Sequence, residues 1–424
     1  MYIYKDYFQI YGRIMQFNKN KTEPFHRWYP FVEGYSREFI KSIINEMGKD
    51  SIVCLEPFSG SGTTALELQN SGIKCYSFEV NPLMYLIARV KLEKSYTVDD
   101  LRRWFQYVCN ERQNINIDEP TSDFKTLYEN GNAKKWNYDA EVSVAIKKLE
   151  MAIDTISDEK YKELLKVALA SILLEVSNLY RNGKCLSYKK DWENKSLSEQ
   201  EVFNRFDNKV RNELIEDIEK NLLNTSINNK ESLYNIDSRV GIEEKIDDDS
   251  IDLVITSPPY LNSRDYTDTY MLELKTLGFT KSSDEIKALR EKTLRSHVQI
   301  KWCDETNVEN KLLQETMEKL DNGAKSETMW NDSILDMVRL YFVDMQTIFE
   351  AIYRKLKVGG KIYFNVSNSA YFNVLINTLE ICASIAENIG YKVIEIRKAR
   401  NLKTSPQQKE TIGELLEGVI VLEK

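Results

Sequence analysis

The run Asp252-Leu253-Val254-Ile255-Thr256, closed by Ser257-Pro258-Pro259-Tyr260, constrains this chain more than any other segment. Its apolar and β-branched residues read as a buried strand. Two prolines, which can neither donate to a sheet ladder nor continue a helix, end it abruptly. The stiffened backbone sets the direction of the Ser257 hydroxyl, the Pro258 carbonyl and the Tyr260 ring. A hydroxyl and a carbonyl side by side under an aromatic face suit a flat substrate with an exocyclic amine, which donates two hydrogen bonds while its ring stacks. An isolated Pro-Pro-Tyr is more often a turn after a strand, with Tyr260 as packing.

A second element lies far upstream. Ile52-Val53-Cys54-Leu55-Glu56-Pro57-Phe58-Ser59-Gly60-Ser61-Gly62-Thr63-Thr64 reads as a buried strand, a Gly-x-Gly turn and a helix start, with helical pattern from Ala65 to Asn70. Glycines there permit positive φ and close approach of a ligand, and the helix N-terminus offers free N–H groups. One strand-helix unit later, Glu79 ends the short strand of Cys75-Tyr76-Ser77-Phe78, where a carboxylate can take both hydroxyls of a ribose. Ala65 stands where a dinucleotide fingerprint has its third glycine, so no diphosphate is implied.

Together these segments resemble the site-specific amino-methyltransferases of DNA. That family's catalytic motif reads Ser/Asn/Asp-Pro-Pro-Tyr/Phe, and its S-adenosylmethionine motif is similar to Phe58-x-Gly60-x-Gly62. The resemblance runs from about Pro24 to the end of the chain, interrupted by a helical block. It implies a catalytic role for Ser257, Pro258, Pro259 and Tyr260. It implies cofactor contacts from Trp28, Tyr29, Pro30 and Phe31, a segment that closes over the methionine end, and from Glu56, Pro57, Phe58, Ser59, Gly60, Ser61, Gly62, Thr63 and Thr64 around the glycine turn. Glu79, Val80 and Asn81 are expected at the ribose, Asp237 and Ser238 at the adenine amino group, and Thr256 ahead of the catalytic motif. Serine at the first motif position is commoner among the cytosine enzymes, which implies methylation of cytosine N4. Adenine N6, or guanine N2 of an RNA, are the alternatives. The implied partners are double-stranded DNA, whose target base flips out of the stack, and a cognate restriction endonuclease.

Composition is consistent with such an enzyme. A chain of 424 residues with 42% hydrophobic content can bury one large core and an accessory region. Mean hydropathy is -0.47, no apolar run approaches the ~18 residues of a membrane span, and the first residues lack a secretory pattern. A cytoplasmic protein, associated with the nucleoid through DNA, is expected. Six cysteines without Cys-x-x-Cys spacing and two histidines indicate neither a disulfide framework nor a metal. No cysteine follows a proline, so the nucleophile for methylation at carbon 5 of cytosine is missing. A net charge of -8 lends no support to phosphate binding, yet basic residues gather in two segments. The candidate DNA contacts are Arg181, Lys184, Lys189, Lys190, Arg264, Arg290 and Arg295, against the plainer reading of a solvated helix face.

The expected fold is α/β, a Rossmann-like methyltransferase sheet of seven strands whose last two are joined antiparallel without a helical crossover, plus a helical insertion. Residues 1–97 carry the cofactor motifs, 98–230 read as helices (99–110, 139–156, 158–180) and form a candidate recognition region, and 231–424 hold the catalytic motif. Segment 261–331 is a second recognition candidate, and helices are expected over 332–356 and 373–389, the latter closed by Gly390.

Overall fold

The computed structural model describes residues 2–48, 52–131, 133–182, 185–221, 225–263, 265–326, 331–404 and 408–424. Eight strands form the main sheet: β1 (Tyr4–Asp6), β2 (Val53–Glu56), β3 (Lys74–Phe78), β4 (Leu233–Tyr234), β5 (Ile251–Thr256), β6 (Leu356–Ser367), β7 (Lys392–Lys403) and β8 (Glu414–Glu423). Their order is β1-β7-β8-β6-β5-β2-β3-β4. Only β8 runs against the rest, wedged between β6 and β7. The expectation of seven strands is thus exceeded by one. β1 adds a short parallel edge through Tyr4↔Ile396, and three residues are too few to carry a legible period.

Side-chain alternation explains why the central strands are apolar throughout. Cys54, Leu253, Ile255 and Tyr363 join one hydrophobic cluster, whereas their neighbours Leu55, Val254, Ile362 and Phe364 join another. Successive strand residues point to opposite faces, and both faces are covered, as a parallel sheet requires. Helices α1 (Arg37–Met47), α2 (Thr63–Asn70) and α3 (Pro82–Leu92) cover the first face, and α4 (Ser238–Lys245), α5 (Ile334–Lys355) and α6 (Thr378–Ile389) the second. The helical block, built on Val98–Asn114, Ala140–Asp154, Glu159–Val176 and Glu199–Lys209, shares the first face's cluster. Its core is therefore continuous with that of the sheet.

Two expected helices are shorter than their periodicity implies. The helix of 158–180 stops at Val176, because the Ser177 hydroxyl takes the Leu179 N–H and Leu179–Asn182 pairs with Cys185–Tyr188 in a hairpin. The helix of 373–389 begins only at Thr378, since Ser369–Tyr371 and Val374–Ile376 form a tight hairpin through Phe372 and Asn373 at φ of 51° and 56°. Among the described residues no helix is long and apolar enough to cross a membrane.

Candidate active site

Strand order reverses between β2 and β5, and in open α/β sheets a crevice opens beyond the carboxyl ends of such a pair. A cavity of ≈ 440 Å³ lies there. Its wall contains Ser257, Pro258, Pro259 and Tyr260 from the end of β5 together with Pro57, Phe58 and Gly60 from the end of β2. Two segments about 200 residues apart in sequence thus face one space.

The turn after β2 needs its glycines. Gly60 has φ +51° and Gly62 φ +81°, a region that side chains rarely adopt. A Cβ on Gly60 would meet the Phe31 ring at 3.0 Å, and one on Gly62 would meet the Ala88 Cβ at 2.8 Å. Glu79 locks the turn to β3: its carboxylate accepts the Gly60 N–H at 2.7 Å and the Asn81 N–H at 2.8 Å. Desolvation pushes the Glu79 carboxyl up to about 7. Asn81 caps α3, its Oδ1 accepting the Leu83 N–H at 3.0 Å. Phe31, Glu79, Val80, Asn81, Asp237 and Ser238 all line the cavity.

Other residues expected at the cofactor sit behind the wall. Glu56 is buried and accepts hydrogen bonds from Thr256 Oγ1 (2.5 Å), Tyr35 (2.7 Å), Thr64 Oγ1 (2.8 Å) and the Phe58 N–H (3.0 Å). Glu56, Thr256 and Thr64 therefore brace the two strand ends from beneath, and burial raises the Glu56 carboxyl to about 7. Ser59, Ser61 and Thr63 are buried in the turn, with the Ser59 and Ser61 hydroxyls lacking a protein partner. The segment ahead of the turn is corrected more strongly. Trp28 and Tyr29 are core residues: the Trp28 indole donates to Asp217 at 2.9 Å and the Tyr29 hydroxyl to Glu273 at 3.0 Å. Pro30 is likewise off the wall, and only Phe31 reaches it, stacked on Tyr270 at 5.9 Å. Asp237 caps α4 and is paired with Arg239 at 2.6 Å, so its carboxylate already carries a charged donor.

A polar cluster that sequence reasoning missed surrounds the catalytic motif. The Tyr260 hydroxyl donates to Glu417 Oε1 at 2.7 Å, and Asn365 Nδ2 donates to the Tyr260 oxygen at 2.6 Å. Ser257 Oγ lies 3.3 Å from the Tyr260 hydroxyl and 3.4 Å from Asn365 Nδ2. Arg400 donates to Glu417 Oε2. Desolvation and the neighbouring Glu417 hold the Tyr260 hydroxyl well above its ordinary pKa, so it remains a donor. Asn365 interrupts the apolar run of β6 and Glu417 that of β8; a lone polar residue in each run is the signal that could have marked them. Met15, Gln16, Phe17 and Asn18 also reach the wall from a stretch with no distinctive pattern.

The expected DNA contacts fare differently. Arg181 is a counter-ion of buried Glu273 at 2.6 Å and lies over the Tyr270 ring. Arg290 pairs with buried Asp265 and, at 2.6 Å, with Asp268; Arg295 pairs with buried Asp344 at 2.7 Å and with Asp304. As free phosphate contacts these three are corrected, because buried carboxylates already neutralise them. Lys189 donates to the Glu175 carbonyl at 2.8 Å, and Lys190 is exposed. Lys184 and Arg264 lie outside the described residues. Among the described residues, no three His, Cys, Asp or Glu side chains come together as a metal site.

No protein-family model matches the chain. Individual relatives do. It is similar to Type II methyltransferase M.BsoBI of Geobacillus stearothermophilus, at 28% identity over 450 residues, 93% of this chain and 84% of that protein. It is 27% identical over 409 residues to Type II methyltransferase M.AvaI of Nostoc sp., covering 91% and 82% of the two chains. Type II methyltransferase M.MvaI of Kocuria varians matches at 26% over 270 residues, 58% of this chain and 55% of its own length.

Proposed function

We infer that this chain, which belongs to the DNA methyltransferase family, is a site-specific DNA methyltransferase that methylates an exocyclic amine, cytosine N4, within a restriction-modification system. The observation that carries the reading is the convergence of the glycine turn and Ser257-Pro258-Pro259-Tyr260 on one cavity.

S-adenosylmethionine fits the residues present. The cavity has the size of a small-molecule site, and Gly60 on its wall leaves room that a Cβ, 3.0 Å from the Phe31 ring, would fill. Glu79 would accept from the ribose, Asp237 and Ser238 would take the adenine, and Phe31 with Phe58 would flank the methionine end. When bound, the cofactor supplies an already activated sulfonium methyl group. What remains for the protein is orientation, an effect that can supply ~7–11 kcal/mol.

The chain's own residues provide that orientation. The Ser257 hydroxyl and the Pro258 carbonyl accept the two N–H groups of the amine, drawing its lone pair out of conjugation and directing it at the methyl group. Tyr260 offers a ring face to the flipped base, and its hydroxyl bond to Glu417 keeps that face from turning. The amine's surplus proton leaves to the Pro258 carbonyl or to water after transfer. Serine at position 257 supports cytosine over adenine.

Single-molecule sequencing of genomic DNA from a methylation-free host expressing the chain tests this reading. N4-methylcytosine in one short recurring sequence is expected. N6-methyladenine there would keep the mechanism and overturn the base. Unmodified DNA, with S-adenosylmethionine binding intact, would overturn the reading.

A further inference from the structure

Three stretches that are distant in the chain meet at one guanidinium. Arg181, on the hairpin of Leu179–Asn182 and Cys185–Tyr188, donates through Nη2 to Glu273 Oε1 at 2.6 Å and through Nε to the Thr269 carbonyl at 3.3 Å. Its flat face covers the Tyr270 ring at 5.1 Å. The Tyr29 hydroxyl donates to the same Glu273 oxygen at 3.0 Å, and Thr269 Oγ1 donates to Glu33 at 3.1 Å. Residues 29–33 and 269–273 are thereby pinned to each other and to the helical block. Tyr270 in turn stacks on Phe31 at 5.9 Å with the ring planes 6° apart, and the Phe31 ring lies 3.0 Å from where a Gly60 Cβ would stand. Phe31, Glu33, Tyr270 and Gly60 all line the cavity. An ammonium, a compact point charge, lacks the planar fork that makes two directed bonds while lying flat on a ring.

We propose that Arg181 is a positioning residue of the cofactor site, acting through Tyr270 to hold Phe31 against the glycine turn. The proposal rests on the methyltransferase reading and deepens it. A hairpin of the helical block then serves cofactor binding, through a cation that the sequence alone offers to DNA. The physical reason is preorganisation. Residues 29–34 belong to no helix or strand, so side-chain contacts must fix the Phe31 ring. With that ring held before the cofactor arrives, binding does not have to order it. Removing Arg181 uncovers Tyr270 and frees Phe31 to take other rotamers, which binding must then reorder.

The test is calorimetry of S-adenosylhomocysteine binding to the full-length chain. Glu273 is 1% exposed, and removing Arg181 alone would strand its charge, so the variant is the pair Arg181→Met/Glu273→Gln. Its control is Arg112→Met/Asp207→Asn, which deletes a 2.6 Å ion pair of the helical block whose residues do not line the cavity. The Arg181 variant should bind S-adenosylhomocysteine roughly 5-fold or more weakly than wild type, and the control within about 2-fold of wild type. Equal weakening in both would overturn the proposal, since it would trace to a general loss of stability. Weaker binding of duplex DNA with S-adenosylhomocysteine affinity intact would also overturn it and return the cation to DNA. In a Phe31→Leu background the loss should shrink to about 2-fold or less, because the two residues act in series. An undiminished loss there would show that Arg181 does not work through Phe31. If the paired variant does not fold, Arg181→Lys, which keeps a charge beside Glu273 but not the fork, takes its place with the same expectations. Wild type that neither binds S-adenosylhomocysteine nor methylates DNA would refute the parent reading instead, whereas an active wild type with an unaffected Arg181 variant refutes only the role of Arg181.

Discussion

Replacing Gly62 by alanine probes the glycine turn where it meets α3. Two costs follow from the geometry. At φ +81° a Cβ is strained by about 1 kcal/mol. The new methyl also lands 2.8 Å from the Ala88 Cβ and 3.0 Å from its Cα. Ala88 is fully buried on α3, so the contact cannot be relieved by a flexible side chain, and overpacking of this kind costs about 1–3 kcal/mol. Gly62→Ala should therefore destabilise by about 2–4 kcal/mol in urea unfolding at constant m-value. Gly72→Ala is the internal control: its φ is +72°, with nothing within 4 Å of the added Cβ, so only the backbone cost of about 1 kcal/mol applies. The same displacement shifts α3, whose capping residue Asn81 is anchored by Glu79, so S-adenosylmethionine affinity measured by calorimetry should fall about tenfold in Gly62→Ala alone. Equal midpoint shifts in the two variants would refute the argument, showing that the turn and α3 do not constrain one another.

Ser257→Ala should lower turnover by roughly 10²-fold or more while sparing cofactor affinity; unchanged turnover would remove the hydroxyl from the chemistry. Glu79 sits near 7 because burial disfavours its charged form, so wild-type cofactor affinity should be full above that value and decline as pH falls through it. In Glu79→Gln, calorimetry should find weaker binding with this decline absent. Glu56 carries the opposite consequence for folding: the native state retains a proton that the unfolded chain has released, so stability should fall as pH rises from the ordinary carboxylate range to about 7. Urea midpoints for wild type and Glu56→Gln would check it, the variant keeping only the smaller slope that Glu79, raised to about 7 by the same burial, contributes. Arg290→Ala strands the buried Asp265 carboxylate and should cost about 2–4 kcal/mol of stability. Retained stability with a salt dependence of DNA binding reduced by about one phosphate would instead return Arg290 to the DNA interface.

What the sequence alone determined is whatever local chemistry dictates. Two prolines must end β5, and glycines must build the turn after β2, because the backbone admits few other residues there. Uninterrupted apolar runs must become strands covered on both faces. These rules placed Ser257, Tyr260, Gly60 and Glu79 at strand ends, and the sheet brought those ends to one cavity. Side-chain partners chosen across the fold were beyond such rules. Glu417 meets Tyr260 from 157 positions away and Asn365 from 105, and neither distance leaves a periodic trace. Arg181, Arg290 and Arg295 look in sequence like cations available for phosphate; only packing reveals the buried carboxylates that each one neutralises. Trp28 and Tyr29 were misplaced for the same reason, since Asp217 and Glu273 draw them inward from elements that sequence reads as separate. Backbone conformation is decided by neighbours along the chain, whereas the burial and charge of a side chain are decided by neighbours in space.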